Sequence, residues 1–204
     1  MKNNLPFTLW GAPVLHTPTK LVKKSEVNSA QLKKFFKKAF GLLKKYESPG
    51  IAANQLGIGK RFIVVWVRPT KRYPKFAYGM KGALINARIT KRSKEKIYLW
   101  EGCLSFGIPG FERNPRFYLE RNKWVEVEYL DENWEKIKKR FEGVEGIVMQ
   151  HEIDHLDGRV CAERLVTRGG RVLPGAISTD KWFKETKGAP PAVNPLNPPK
   201  GLKK

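Results

Sequence analysis

Gln150-His151-Glu152-Ile153-Asp154-His155 puts two histidines four positions apart. On a helix, residues i and i+4 lie one turn apart on the same face, so both imidazoles can reach one metal ion. The glutamate after the first histidine can then touch a water on that metal. The residues around the segment agree with a helix over about 142–157, because Val144, Ile147, Val148 and Ile153 fall on one apolar side. The chain has three histidines and two of them are here. His16 stands alone in an N-terminal arm and reads as structural.

Strand signals precede that helix. Trp124 to Tyr129 alternates apolar and charged residues, as a half-exposed strand does, and a weaker strand follows around Lys136 to Phe141. Phe62 to Val67 is a β-branched and aromatic run that predicts a buried strand. Ala83 to Ile89 and Lys96 to Trp100 predict two more, separated from the first by a loop over 68–81 with Pro69, Pro74 and Gly79. Further upstream, Leu32, Phe35, Phe36, Ala39, Phe40, Leu43 and Tyr46 recur at helical spacing with six lysines mostly between them. Asn28 or Ser29 suits its N-cap, and Ser48-Pro49-Gly50 stops it. A basic amphipathic helix of this kind can lie on a membrane, or its aromatic stripe can simply be core. Residues 5–27, with Pro6, Pro13 and Pro18, read as an extended arm with one or two turns.

Helix, strands, helix, without regular βαβ alternation, predicts an α+β fold. The pattern fades after Arg164. Trp182 and Phe183 suit a short anchor, and residues 188–204 carry five prolines and three lysines, a disordered or polyproline-like composition. The expected organisation is one catalytic domain over 1–181 and a flexible Pro/Lys-rich tail over 182–204.

The chain has 204 residues, of which 40 are basic and 19 acidic, a net charge of +21. Such a field attracts polyanions, including nucleic acid, a ribosome surface or anionic lipid; a lysine-rich proteome with solvated surface lysines gives the same numbers. Two cysteines, Cys103 and Cys161, exclude a disulfide-rich scaffold and suit a reducing compartment. No apolar run approaches the roughly 18 residues of a membrane span. Met1 to Trp10 reads as neither a signal nor a transit peptide, which points to a cytoplasmic location.

A catalytic metal site needs a third protein ligand and an open position for water. No histidine follows His155, which weakens a zinc-protease reading; Asp157, Glu163 and Cys103 remain as candidates. Cys103 lies in Glu101-Gly102-Cys103-Leu104-Ser105, where a thiolate would suit a divalent metal and the preceding glycine allows close backbone approach. Cys161 is given no part in the metal site. A third segment, Gly50-Ile51-Ala52-Ala53-Asn54-Gln55-Leu56-Gly57, packs small residues between two glycines and offers the Gln55 amide to a site.

These three segments, in this order, resemble peptide deformylases, the enzymes that remove the formyl group from the initiator methionine of new chains. That family carries G-x-G-x-A-A-x-Q-x-G, then E-G-C-L-S, then Q-H-E-x-D-H. Gly11 to Leu15, Leu84-Ile85-Asn86, and Arg121 with Asp131 echo it more weakly, so the resemblance covers about residues 9–165. Ser48 departs from the first glycine, the stretch between Cys103 and Arg121 is longer than usual, with Phe106 to Phe117 rich in Gly, Pro and Arg, and the first helix is unusually basic.

The resemblance implies small antiparallel or mixed sheets around a central helix that bears both histidines. It implies one divalent metal ion on Cys103, His151 and His155, with water at the fourth position. Iron(II) is the expected metal in the cell; zinc, nickel or cobalt are accepted by the same donors. Glu152 is then the general base and acid, and Gln55 and the backbone N–H of Leu104 stabilise the oxyanion. Backbone near Gly50 and Ile51 binds the peptide as an added strand, and Val144, Ile147 and Val148 line the methionine pocket. The expected partners are a formylated nascent polypeptide and, through charge and the tail, the ribosome surface; no membrane and no nucleotide cofactor are expected, and the chain is expected to be monomeric. Two alternatives are an HExxH zinc peptidase and a basic ribosome- or nucleic-acid-binding module with a closed structural metal.

Overall fold

The structure, a computed structural model, describes residues 6–27, 30–71, 73–107, 116–164, 167–168, 171–172 and 177–178. The arm over 6–23 holds one 3-10 turn, Pro13–Leu15, and leads into a single helical turn α1 (Lys24–Val27) and the long helix α2 (Ala30–Lys45). Then come β1 (Gly50–Ala52), β2 (Phe62–Trp66), β3 (Lys81–Arg92), β4 (Lys96–Gly102), β5 (Arg116–Asn122), β6 (Trp124–Leu130) and β7 (Lys136–Glu142). Helix α3 (Gly143–Leu156) follows β7 directly, and three two-residue strands, β8 (Thr167–Arg168), β9 (Arg171–Val172) and β10 (Ile177–Ser178), end the described chain.

The main sheet has five strands in the order β1-β2-β3-β6-β7; a second has the order β10-β5-β4, and β8 pairs with β9. All named ladders are antiparallel, so the mixed option is not taken; the one parallel pairing is the isolated bridge between Lys20 and Lys60. Strand alternation divides the core into two layers. Phe62, Val64, Ala83 and Ile85 face α2, where Phe36, Ala39 and Leu43 are buried against them. Ile63, Val65, Leu84, Val125 and Val127 face α3, where they meet Val148, Met149, Ile153 and Leu156. The aromatic stripe of α2 is therefore core: Phe35 and Phe36 each pack edge-on to Phe62, at 5.1 and 5.4 Å. Each such buried side chain contributes about 1.5–3 kcal/mol.

Helix α3 is buried from Gly146 to Leu156, although half of that stretch is polar. Gln150, His151 and Asp154 are tied to neighbouring elements. Gln150 exchanges two bonds with the backbone of Asn122, N–H to Oε1 and Nε2 to C=O, both 2.9 Å, which locks the end of β5 onto the helix. Gly143, at φ +57°, makes the turn from β7 into α3 that an L side chain would resist. Asn86 also sits at positive φ, and its side chain holds both backbone groups of Val22, at 2.8 and 3.0 Å. That clamp fixes the N-terminal arm against β3.

Several expectations need revision or lie elsewhere. The segment from Gly50 to Gly57, with no strand expected in it, opens with strand β1, and the 106–117 stretch ends in β5, which starts at Arg116. Strands β3 and β4 run longer than their apolar signals. The N-cap position at Asn28 or Ser29, most of the 106–117 stretch, Trp182, Phe183 and the tail fall outside the described residues.

Candidate active site

Three segments meet at one point: β1 with the turn Ala53–Leu56, the end of β4, and the C-terminal half of α3. His151 and His155 lie one turn apart and meet edge to face, ring centroids 5.1 Å from each other at an interplanar angle of 68°. Cys103 follows β4 in extended conformation and caps the 3-10 turn Leu104–Phe106, its sulfur accepting from Ser105 N–H at 3.4 Å. This places its Sγ 3.2 Å from Nε2 of His155. The ligand atoms of Cys103, His151 and His155 all lie within 4.8 Å of one another, and all three residues are buried. No other group of three or more His, Cys, Asp or Glu is gathered this closely among the described residues. One thiolate and two imidazoles fit a tetrahedral divalent ion with a fourth position left over. The alternative third ligands are engaged elsewhere, Asp157 with Arg61 at 2.9 Å and Glu163 with His16 at 3.3 Å.

A buried charge network orients these groups. Nδ1 of His151 donates to Oε2 of Glu101 at 2.7 Å, which leaves Nε2 to face the sulfur. Arg121 grips both oxygens of Glu101 at 2.6 and 2.8 Å and reaches Asp154 at 2.5 Å. Arg164 grips Asp154 from the other side, through both oxygens, at 2.5 Å. Burial raises the Glu101 carboxyl, but the charge and hydrogen bonds of Arg121 and the bond to His151 outweigh it and hold it at about 2. For Cys103, burial is outweighed by hydrogen bonding to Cys161, the charge of His155 and bonds to both histidines, and the thiol lies well below its ordinary value. His151 is opposed by burial and raised well above its usual value by its bonds to Cys103 and Glu101. The site therefore favours a thiolate, the form that binds metal.

Glu152 sits beside this cluster on the same helix. Burial is the largest influence on it, and with the two histidines opposing, its carboxyl is pushed up to about 7. Its Oε2 is buried without a hydrogen-bond partner among the described residues. Gly50 is what makes room for it: a Cβ at that position would fall 2.6 Å from Glu152 Oε1 and 2.9 Å from Val148 Cγ1. Gln55, in the turn Ala53–Leu56, is held by the end of β1, its Oε1 accepting from Ala52 N–H at 2.9 Å, and its Nε2 points at Cys103 Sγ and Ser105 Oγ, both 3.3 Å. Leu104 opens the 3-10 turn, so its N–H has no acceptor within that turn.

Strand β1 lies at the edge of its sheet. Trp66 N–H bonds to Pro49 C=O, so in the alternating antiparallel pattern the N–H and C=O of Gly50 point outward. The hydroxyl of Ser48 donates to that Gly50 carbonyl at 2.9 Å. Ile51, opposite Val64, turns its own N–H and C=O inward to β2 and buries its side chain in the α2 layer, so it offers the site no outward group. Val148 lies in the α3 layer against Gly50, Val144 packs half-buried on the same layer, and Ile147 is buried.

Sequence reasoning took Cys103, both histidines, Glu152 and Gln55 to one place, and the structure brings them together. It gave no role to Arg121 as the bridge between Glu101 and Asp154. It also passed over Cys161, which is buried in the same cluster as Cys103, Phe117 and Leu119 and hydrogen-bonded to the Cys103 sulfur; burial and that bond raise its own thiol. No local pattern in the sequence marks these residues, which stand among other polar and charged ones.

Comparison with known proteins points the same way. The family model described as polypeptide deformylase matches residues 5–170. A peptide deformylase of Leptospira biflexa is 33% identical over 156 residues, covering 76% of this chain and 84% of that one. The chloroplastic peptide deformylase 1A of Solanum lycopersicum is 30% identical over 175 residues, 80% of this chain and 60% of that one. Among solved structures, the Met-Ala-Ser-bound class I type b peptide deformylase of Acinetobacter baumannii superposes with a TM-score of 0.72 at 33% identity, covering 81% of this chain and all of that chain. The deformylase of Thermotoga maritima gives a TM-score of 0.64 at 30% identity. With one family model spanning all three converging segments, this chain belongs to the peptide deformylase family.

Proposed function

We propose that this metal-dependent deformylase removes the N-formyl group from formylmethionyl polypeptides through Glu152, at a centre formed by Cys103, His151 and His155. The observation that carries the reading is the buried carboxyl of Glu152, near neutrality and one residue from a Cys/His/His donor set. A divalent ion held by those three side chains supplies Lewis acidity. Glu152 accepts the proton of the attacking water and delivers it to the departing amine. The Gln55 amide and the Leu104 N–H stand on the cysteine side, where they can donate to the formyl oxygen as its charge grows, each for roughly 3 kcal/mol. The outward groups of Gly50 take the peptide as an extra strand, Ile51 holding β1 to β2 behind it, and Val144, Ile147 and Val148 accept the methionine side chain. The products are formate and a free amino terminus.

The metal in the cell is iron(II), with zinc, nickel or cobalt taken by the purified protein. Residues 1–181 form the catalytic domain and 182–204 a tail. The protein works as a cytoplasmic monomer on nascent chains, held near the ribosome by charge. No helix among the described residues is long and apolar enough to cross a membrane. The test is formate release from formyl-Met-Ala-Ser by anaerobic, iron-loaded protein, with Met-Ala-Ser and acetyl-Met-Ala-Ser in parallel. Formate from the first and no peptide cleavage in the second is the expected result. Cleavage of Met-Ala-Ser would mean a zinc peptidase.

A further inference from the structure

We propose that the outer face of α2 is a docking surface for the phosphate backbone of RNA. Helix α2 carries six lysines and no acidic residue. Lys33, Lys34, Lys37, Lys38, Lys44 and Lys45 are all exposed, on the side turned away from the sheet. None of them takes part in an ion pair among the described residues. Other basic residues, Lys91, Arg92, Lys94 and Lys139 among them, are also in no ion pair among the described residues but are not lined along one helix face; the strand faces behave differently in part. On the β6–β7 face, Lys136, Lys138 and Arg140 are each matched by a glutamate, and Lys96, Lys123 and Arg88 are matched likewise. The glutamates that pair with these bases are on or beside the strands, and no acidic residue is placed on α2.

That arrangement works against the helix itself. Lys33 with Lys37 and Lys34 with Lys38 are like charges at i and i+4, and no acidic residue in the first turn complements the helix dipole. Lys44 and Lys45, in the last turn, complement the helix dipole, but Lys33, Lys34, Lys37 and Lys38 do not, and burial of the opposite face holds α2 in place despite their repulsion. The occupant follows from what the face lacks. A lipid surface takes up an amphipathic helix through its apolar side, and here that side is already closed against Phe62. Protein interfaces are rich in aromatics and depleted in lysine, and the exposed large apolar residues, Trp10, Leu21 and Tyr78, are not on α2. Phosphate contacts are what a bare lysine stripe makes. From Lys33 to Lys45 it spans about 18 Å along the axis, about five phosphates of one duplex strand. Since α2 and α3 lie on opposite faces of the sheet, docking here leaves the Cys103, His151 and His155 centre open.

The inference goes beyond ribosome attraction by net charge, because it assigns one surface. It is tested with the full chain, a short RNA duplex titrated at several salt concentrations, and vesicles of phosphatidylcholine with phosphatidylserine. Lys33, Lys34, Lys37 and Lys38 are changed together to Gln, which keeps helix propensity. A control changes Lys91, Arg92, Lys94 and Lys139 to Gln, with the same loss of net charge. Wild type should bind the duplex at low salt, and the α2 variant should bind at least about tenfold more weakly, with the salt slope reduced by about three. The control should keep most of its affinity and slope, and all three proteins should release formate from a short peptide equally. Equal weakening of both variants, no RNA binding by wild type, or tighter binding to the vesicles than to RNA would each overturn the inference. If both variants still bind ribosomes like wild type, the α2 assignment falls and attraction elsewhere on the chain stands.

Discussion

Nδ1 of His151 lies 2.7 Å from Oε2 of Glu101, and the same carboxylate is gripped by both arms of Arg121. One buried glutamate therefore sets the ring orientation of a metal-site histidine and connects β4, β5 and α3. Glu101→Gln should weaken metal binding by about 10- to 100-fold, measured by chelator competition. It also changes the acid response of the metal-free protein. With the carboxyl held at about 2 against 4.5 unfolded, Glu101 stabilises the fold above pH 4.5, and that contribution is lost as pH falls through about 2. The stability gap between wild type and Glu101→Gln, from urea unfolding, should narrow over this window. A gap that stays constant would remove Glu101 from the acid response.

Gly50→Ala tests the room given to Glu152. A methyl group there meets Glu152 Oε1 at 2.6 Å and Val148 at 2.9 Å, so the carboxylate or the strand must move. Turnover should fall by roughly 10²-fold while metal content is retained, because displacing a reacting group by about 1 Å costs that much. Wild-type turnover would show that the close approach has no catalytic consequence.

The two cysteines separate ligand from neighbour. Cys103→Ser replaces a thiolate by a neutral hydroxyl and should lose metal or change the spectrum of the cobalt-substituted protein. Cys161→Ser keeps a donor beside the Cys103 sulfur and should retain metal stoichiometry and coordination. Identical metal content and cobalt spectra in both variants would take Cys103 out of the ligand set.

Much of the site was legible because its spacing is local. The histidine pair follows from one helical turn, and Cys103 and Gln55 from short segments. Strand β1 was not legible, since three residues after Pro49 carry no period. Strand β5 hid for another reason. Arg116 and Arg121 are buried within it, and Arg121 is acceptable there only because Glu101 and Asp154, 20 and 33 positions away, neutralise it. No local pattern announces a partner at that distance. The two-layer core was legible only in part, because Phe62 to Trp66 is apolar on both faces and does not say which helix each side meets.

The tail gives a separate prediction. Truncation after residue 181 removes Trp182, Phe183 and five prolines with three terminal lysines. Sedimentation with ribosomes at low salt should weaken, and formate release from a short peptide should barely change. Wild-type sedimentation by the truncated protein would assign the attraction to the remaining surface.

Glu152→Gln addresses the central claim most directly. The amide keeps the shape beside Cys103, His151 and His155 but cannot accept a proton. Formate release from formyl-Met-Ala-Ser should be followed for wild type and variant, loaded anaerobically with iron(II) to the same measured stoichiometry. The variant should hold the metal and lose on the order of 10²–10⁴-fold in kcat. A fully metal-loaded Glu152→Gln that turns over at the wild-type rate would contradict the account.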